Sequence, residues 1–74
     1  MSKSVQEMAL DACDDAFKDS IRAATNALAT SLNQAGGDEQ KKREAVERYS
    51  AGLKAQEAAH AAAQAAVKKA FPNT

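Results

Sequence analysis

Apolar residues recur along the first half of the chain at steps of three and four residues. This spacing places them on one face of an α-helix, because a helix completes a turn in about 3.6 residues. Charged residues such as Asp11, Asp15 and Lys18 fall on the other side. We therefore predict an amphipathic helix over about residues 4–35. The residues of its apolar face are Leu10, Cys13, Phe17, Ile21, Ala24, Leu28, Leu32 and Ala35.

The strongest break in the pattern is the pair Gly36-Gly37. Glycine ends helices readily, because it adopts left-handed backbone conformations without steric cost. Asp38 follows and has the side chain to cap a new helix by accepting a bond from an unpaired N–H group. Ser4 is the matching candidate for the first helix, with Glu7 three residues on, as in a capping box.

The second half of the chain predicts a helix over about residues 38–71, ended by Pro72. Its apolar face is strong only at the two ends, where it holds Val46, Tyr49, Leu53, Val67 and Phe71. Between them the same face carries Gln56, His60 and Gln64. Alanine dominates this stretch, with eight alanines among the twelve residues 55–66. Alanine favours helix but buries little apolar area.

These patterns predict an all-α fold, a single antiparallel two-helix hairpin with its turn at residues 36–37. The chain has 74 residues, no Trp, one Tyr and two Phe, so we expect a marginal monomer that associates with other copies. The side chains predicted to hold the two arms together are Leu10, Phe17, Leu28, Leu32, Val46, Tyr49 and Leu53. Those predicted to contact other copies are Gln56, His60, Gln64, Val67 and Phe71.

Polar residues spaced four apart along a packed face are costly when they are buried without partners. They are tolerated where they pair across an interface and fix its register. On that ground we assign Gln56, His60 and Gln64 to an interface. The alternative is that this half of the hairpin is splayed and that the three side chains face water.

Charge and apolar content exclude several broad classes. Ten basic and ten acidic residues cancel, which argues against an extended electrostatic surface for nucleic acid or anionic membrane. No apolar run is long enough to span a membrane. The polar start of the chain has no apolar core of a conventional signal peptide. A single cysteine forms no intramolecular disulfide.

Candidate chemistry is sparse. Cys13 and His60 face each other across a hairpin that turns at 36–37, but two ligands do not complete a tetrahedral metal site. A thiol–imidazole pair also needs a cleft and an oxyanion donor. The acidic residues near Asp14 are typical of a solvated helix face rather than of a calcium loop. We therefore predict no enzyme, no catalytic residues, no metal and no cofactor.

The basic cluster Lys41-Lys42-Arg43, with Arg48 one turn on, is the candidate for contact with phosphates. Neighbouring glutamates offset its charge, and no aromatic residue lies among these bases to stack on a nucleobase. A dimeric RNA-binding hairpin is therefore a minor alternative.

Several positions resemble the needle subunits of type III secretion systems, which are small helical hairpins that stack into a hollow filament. The resemblance runs loosely over residues 10–71. The positions that carry it are Leu10-Asp11, Phe17, Ile21, Leu28, Leu32, Tyr49, Ala55-Gln56 and Phe71. It implies that the second arm faces the filament lumen or other subunits.

The leading interpretation is a non-enzymatic, self-associating hairpin, a filament subunit of the needle type. The main alternative is a small helical binding protein, a secretion chaperone or an inhibitor, that acts as a dimer or heteromer. A needle-like protein is expected to be secreted without a cleavable signal, and a protein of the other kinds to be cytoplasmic.

Overall fold

The computed structural model describes residues 3–72 and shows two helices packed antiparallel. Helix α1 spans Val5–Ala35 and helix α2 spans Glu39–Ala70. No strand occurs in the described range, so the predicted all-α hairpin is confirmed. The hairpin is a rod with extents of 56 × 20 × 11 Å.

Both helices begin at the predicted capping residues. The Ser4 hydroxyl accepts a hydrogen bond from the Glu7 amide at 3.1 Å. The Asp38 carboxylate accepts from the amides of Gln40 and Lys41 at 3.0 and 3.2 Å. Each cap satisfies N–H groups that have no partner within the first turn of the helix. A charged cap at Asp38 also interacts favourably with the helix dipole.

The connection between the helices is a tight turn that requires glycine at its first central position. Gly36 has φ 57° and ψ −118°, and the Asp38 amide donates to the Ala35 carbonyl at 3.0 Å. These are the features of a type II′ turn. Among the described residues Gly36 alone has a positive φ, so the two glycines of the turn are not equivalent. Its ψ also differs from that of the left-handed helical conformation expected at a helix end.

The open end of the hairpin is closed by backbone and side-chain contacts. The amide of Phe71 donates to the Val67 carbonyl at 2.9 Å, which completes the last turn of α2. The side-chain amide of Gln6 donates to the Phe71 carbonyl, also at 2.9 Å. This bond joins residues 65 positions apart in sequence and ties the start of α1 to the end of α2.

Packing between the helices is thin. Ala45, at 4 % exposure, is the one buried residue within the described range. The predicted core residues Leu10, Phe17, Leu28, Leu32, Tyr49 and Leu53 are half-buried. The radius of gyration is 16.9 Å, against about 11 Å for a compact domain of this length. Two helices side by side leave most of each helix in contact with solvent.

The structure corrects the prediction for Val46, whose side chain is half exposed instead of packed between the arms. Successive helical residues are rotated by about 100°, so only one of two neighbours points directly at the other helix. That neighbour is Ala45. Ala45 and Val46 lie four and three residues before Tyr49, so spacing places both near the seam, and the pattern favours the larger side chain.

Replacement of Gly36 by Ala should destabilise the hairpin by about 1–3 kcal/mol, because an L-residue is strained at this φ and ψ. Gly37→Ala is the matched control. Nothing lies within 4 Å of a Cβ added at Gly37, and its φ is not positive. We expect it to change stability by less than about 1 kcal/mol. Thermal or urea unfolding followed by circular dichroism measures both changes.

A D-alanine at position 36, introduced by chemical synthesis, should recover the stability that L-alanine loses, because a D-residue prefers positive φ. Equal destabilisation by L-alanine at positions 36 and 37 would contradict this account of the turn.

Candidate functional site

His60 lies at the centre of the contact between the helices. Its ring stacks on the ring of Phe17 with centroids 4.4 Å apart and planes 12° apart. Its Nε2 atom lies 2.8 Å from Oδ1 of Asp14. The side chain is only 18 % exposed, although Asp14 is on the surface. The imidazole therefore joins α2 to α1 within one chain, through one aromatic and one polar contact.

This position differs from the predicted role of His60 in contacts with other copies. Gln56, Gln64 and Val67 are half-buried on the same face of α2. Steps of three and four residues continue that face from Tyr49 to Val67, so the polar stretch belongs to the same seam as the leucines. Of the five residues assigned to an interface with other copies, Phe71 is the one that is largely exposed.

The antiparallel register expected from a turn at 36–37 places His60 opposite Cys13 and its neighbour Asp14. Cys13 and His60 do line one groove together, yet the ring that His60 contacts belongs to Phe17. Register restricts a residue to one turn of the opposing helix. It does not select the partner within that turn, because side-chain length and direction do so.

A second polar contact crosses the seam nearer the turn. The hydroxyls of Thr25 and Tyr49 lie 2.8 Å apart, and the Thr25 hydroxyl donates to the Ile21 carbonyl at 2.8 Å. Tyr49 thus packs its ring between the helices and satisfies its hydroxyl at the edge. Tyr49 was predicted at this seam, whereas Thr25 was not, since a threonine outside the apolar face gave no signal for a partner on α2.

The groove at Cys13 has a volume of about 230 Å³ and is open to solvent. Cys13 is a half-buried free thiol there. Over residues 3–72 no set of three or more His, Cys, Asp and Glu side chains is arranged to hold a metal ion. The Cys13–His60 pair supplies two of the four ligands that a tetrahedral metal site needs, and the side chains of Ser20 and Gln56 line the same groove.

Charged side chains form surface pairs. Arg22 and Asp19 lie 3.1 Å apart, and Lys42 and Glu39 lie 3.3 Å apart. Such exposed pairs contribute little to stability. The hydrogen bond that Lys3 donates to Asp11 raises the pKa of the lysine ammonium above its ordinary value of 10.5.

The basic cluster near the turn is partly engaged in contacts along its own helix. Lys42 pairs with Glu39, and Arg43 donates to the Gln40 side chain at 3.0 Å. These contacts lie along one helix, so each occupies a basic side chain that would otherwise be available to a phosphate.

Four large apolar side chains are about half exposed, namely Val5, Met8, Val46 and Phe71. Val5 and Phe71 line one hollow at the open end of the rod, together with Pro72. Val46 lies near the other end, since about 37 Å of helix separates it from Phe71. Neither α1 nor α2 has the combined length and apolar character to cross a membrane.

Comparison with known proteins gives no match to a family model, a curated protein or a solved structure. The resemblance to secretion needle subunits therefore rests on residue spacing alone and stays a prediction.

We predict that His60→Ala lowers the free energy of unfolding by roughly 1–2 kcal/mol, because it removes the stack on Phe17 and the bond to Asp14. Gln64→Ala is the matched control. It is also half-buried and one turn further along α2, but within residues 3–72 its side chain makes no hydrogen bond. We expect a change within about 0.5 kcal/mol for it. Urea unfolding of both variants gives the comparison.

A His60→Ala variant with unchanged stability but weakened association would contradict the assignment of His60 to the seam. It would restore the role between copies that the sequence suggested.

Proposed function

We propose that this chain is a non-enzymatic structural subunit that works by association with further copies of itself. The observation that carries the proposal is the accessible surface of the hairpin. It amounts to 5549 Å², whereas a compact protein of 7.8 kDa has about 4400 Å². The excess is roughly a thousand Å² per chain. A standard interface buries about 800 Å² on each partner, so one such contact removes most of the excess.

The distribution of exposed apolar side chains also supports association. Val5, Met8 and Phe71 are half exposed at the open end, and Val46 is half exposed near the turn. Val5 and Phe71 line one hollow at the open end. Apolar groups that are contiguous on a surface are typical of sites that meet another protein.

An open-ended filament of the needle type is the finer form of the proposal. Exposed apolar side chains at the open end of the 56 Å rod and at Val46 nearer the turn suit a contact between unlike surfaces of successive copies. Contacts of that type produce rings or helical filaments, whereas contacts between like surfaces produce closed dimers. Only the apolar ends and the rod shape support this form, together with the resemblance in residue spacing.

Sedimentation velocity of the purified chain from micromolar to millimolar concentration tests the proposal. We expect a mass that increases with concentration, towards filaments or a discrete oligomer. A chain that stays monomeric over that range contradicts it. If the monomer instead binds another helical protein, the alternative of a small helical binding protein is supported. A salt-dependent increase in sedimentation on addition of RNA supports the RNA-binding alternative.

We predict that Phe71→Ala weakens assembly by about tenfold or more and reduces helicity little, because its side chain lies outside the seam and is half exposed. In the isolated chain, Phe17→Ala should instead reduce the stability and helicity of the hairpin. Its ring stacks on His60 between the helices, so its loss should destabilise the hairpin by roughly 3 kcal/mol or less. Circular dichroism and sedimentation on the same samples separate the two effects. Equal losses of helicity and assembly in Phe71→Ala would contradict this division.

A further inference from the structure

Two open grooves lie on one broad side of the hairpin. The first, of about 230 Å³, is lined by Ala16 and Ser20 of α1 and by Ala59 and Ala63 of α2. The second, of about 220 Å³, is lined by Ala27 of α1 and Gly52 of α2, among others. Residues 16 and 27 are about three helical turns apart, and residues 52 and 59 about two, so both grooves open on the same side. We name this side the groove face.

The groove face is covered by small, uncharged side chains. Among the residues that line the two grooves, Arg48 alone carries a full charge. The acidic residues Asp11 and Asp14 of α1 lie on the other flank of that helix, rotated by well over 100° from Ala16. Nearer the turn the same side continues into a hollow lined by Lys41 and Glu44. Covering the two grooves themselves therefore requires little desolvation of charge, whereas covering the opposite side would remove several carboxylates from water.

At Gly52, on the groove face, packing within the hairpin does not explain why the residue is glycine. It lies inside α2, where glycine weakens a helix relative to alanine. A Cβ added there meets nothing within 4 Å. No contact within the chain therefore requires glycine at this position. A small residue at a helix surface does allow the backbone of another helix to approach closely.

We propose that the groove face is where a second copy of this chain packs, so that two hairpins form a four-helix bundle with ridges of one copy in the grooves of the other. The inference rests on the self-association proposed above and adds a second contact surface to the open end near Phe71. The broad side measures 56 by 20 Å, which is large enough for the roughly 800 Å² per partner of a standard interface. Four helices in a bundle also cover the faces that a lone pair leaves in water.

A second copy suits this face because the two copies then bring identical groove faces together. Each copy presents small apolar side chains and shallow grooves without buried charge, and close packing of helices needs both on each partner. The grooves are open to solvent along their length, so helix ridges fit them better than an enclosed small molecule does.

The test compares Ala59→Glu with Ala61→Glu. Both alanines are exposed and lie in the same helix, but Ala61 is rotated by about 200° from Ala59 and points away from the groove face. We expect Ala59→Glu to weaken association at least about tenfold and Ala61→Glu to change it less than about threefold, by sedimentation equilibrium. Circular dichroism at low concentration verifies that both variants keep their helicity.

Equal effects of the two glutamates on association overturn the groove face and leave self-association intact, with the open end near Phe71 as the remaining proposed contact. Absence of association in the unaltered chain overturns the proposed function itself. Gly52→Ala provides a second test. We expect a higher melting temperature for the dilute chain together with weaker association, because the added methyl group favours helix but occupies the groove face. Unchanged or stronger association in Gly52→Ala overturns the inference.

Discussion

Each helix of an isolated pair can direct only one face at its neighbour, and this limit governs the whole molecule. The contact line between α1 and α2 is long but narrow, and within residues 3–72 Ala45 is the one buried residue. Apolar burial is the main favourable contribution to folding, and it must exceed the conformational entropy lost by the ordered residues. A two-helix rod has little of it per residue. The caps at Ser4 and Asp38 and the turn at Gly36 stabilise the ends, but they do not enlarge the core.

The middle of the contact line shows how the chain closes a gap in its apolar pattern. An imidazole stacked on Phe17 fills space that a leucine would fill elsewhere, and Asp14 at the helix edge satisfies its nitrogen. A polar group at a seam is inexpensive when its polar atom reaches the surface, as the hydroxyl of Tyr49 also does. The alanines beside these residues leave open grooves. The same stretch of α2 therefore packs against α1 on one face and exposes a groove to solvent on the adjacent face.

The residues that end and begin helices were predictable, because their effects are local. Ser4, Asp38 and Gly36 each act on backbone groups within three positions. The structure places Ser4 and Asp38 as the caps and Gly36 in the turn, although in a different conformation from the left-handed one expected there. The role of His60 was not, since periodicity assigns a residue to a face but does not say whether the facing helix belongs to the same chain. Val46 shows a related limit. It is rotated by about 100° from its neighbour Ala45, which is enough to move a side chain from the seam to the surface.

We propose that the hairpin depends on a second copy for much of its stability. The dependence of the melting temperature on protein concentration distinguishes this from a self-sufficient monomer, because association with the folded state stabilises it by mass action. Unfolding followed by circular dichroism from micromolar to millimolar concentration should give a melting temperature that rises steadily with concentration. A cooperative transition at one temperature throughout that range would show a hairpin that is stable alone, and would contradict the account.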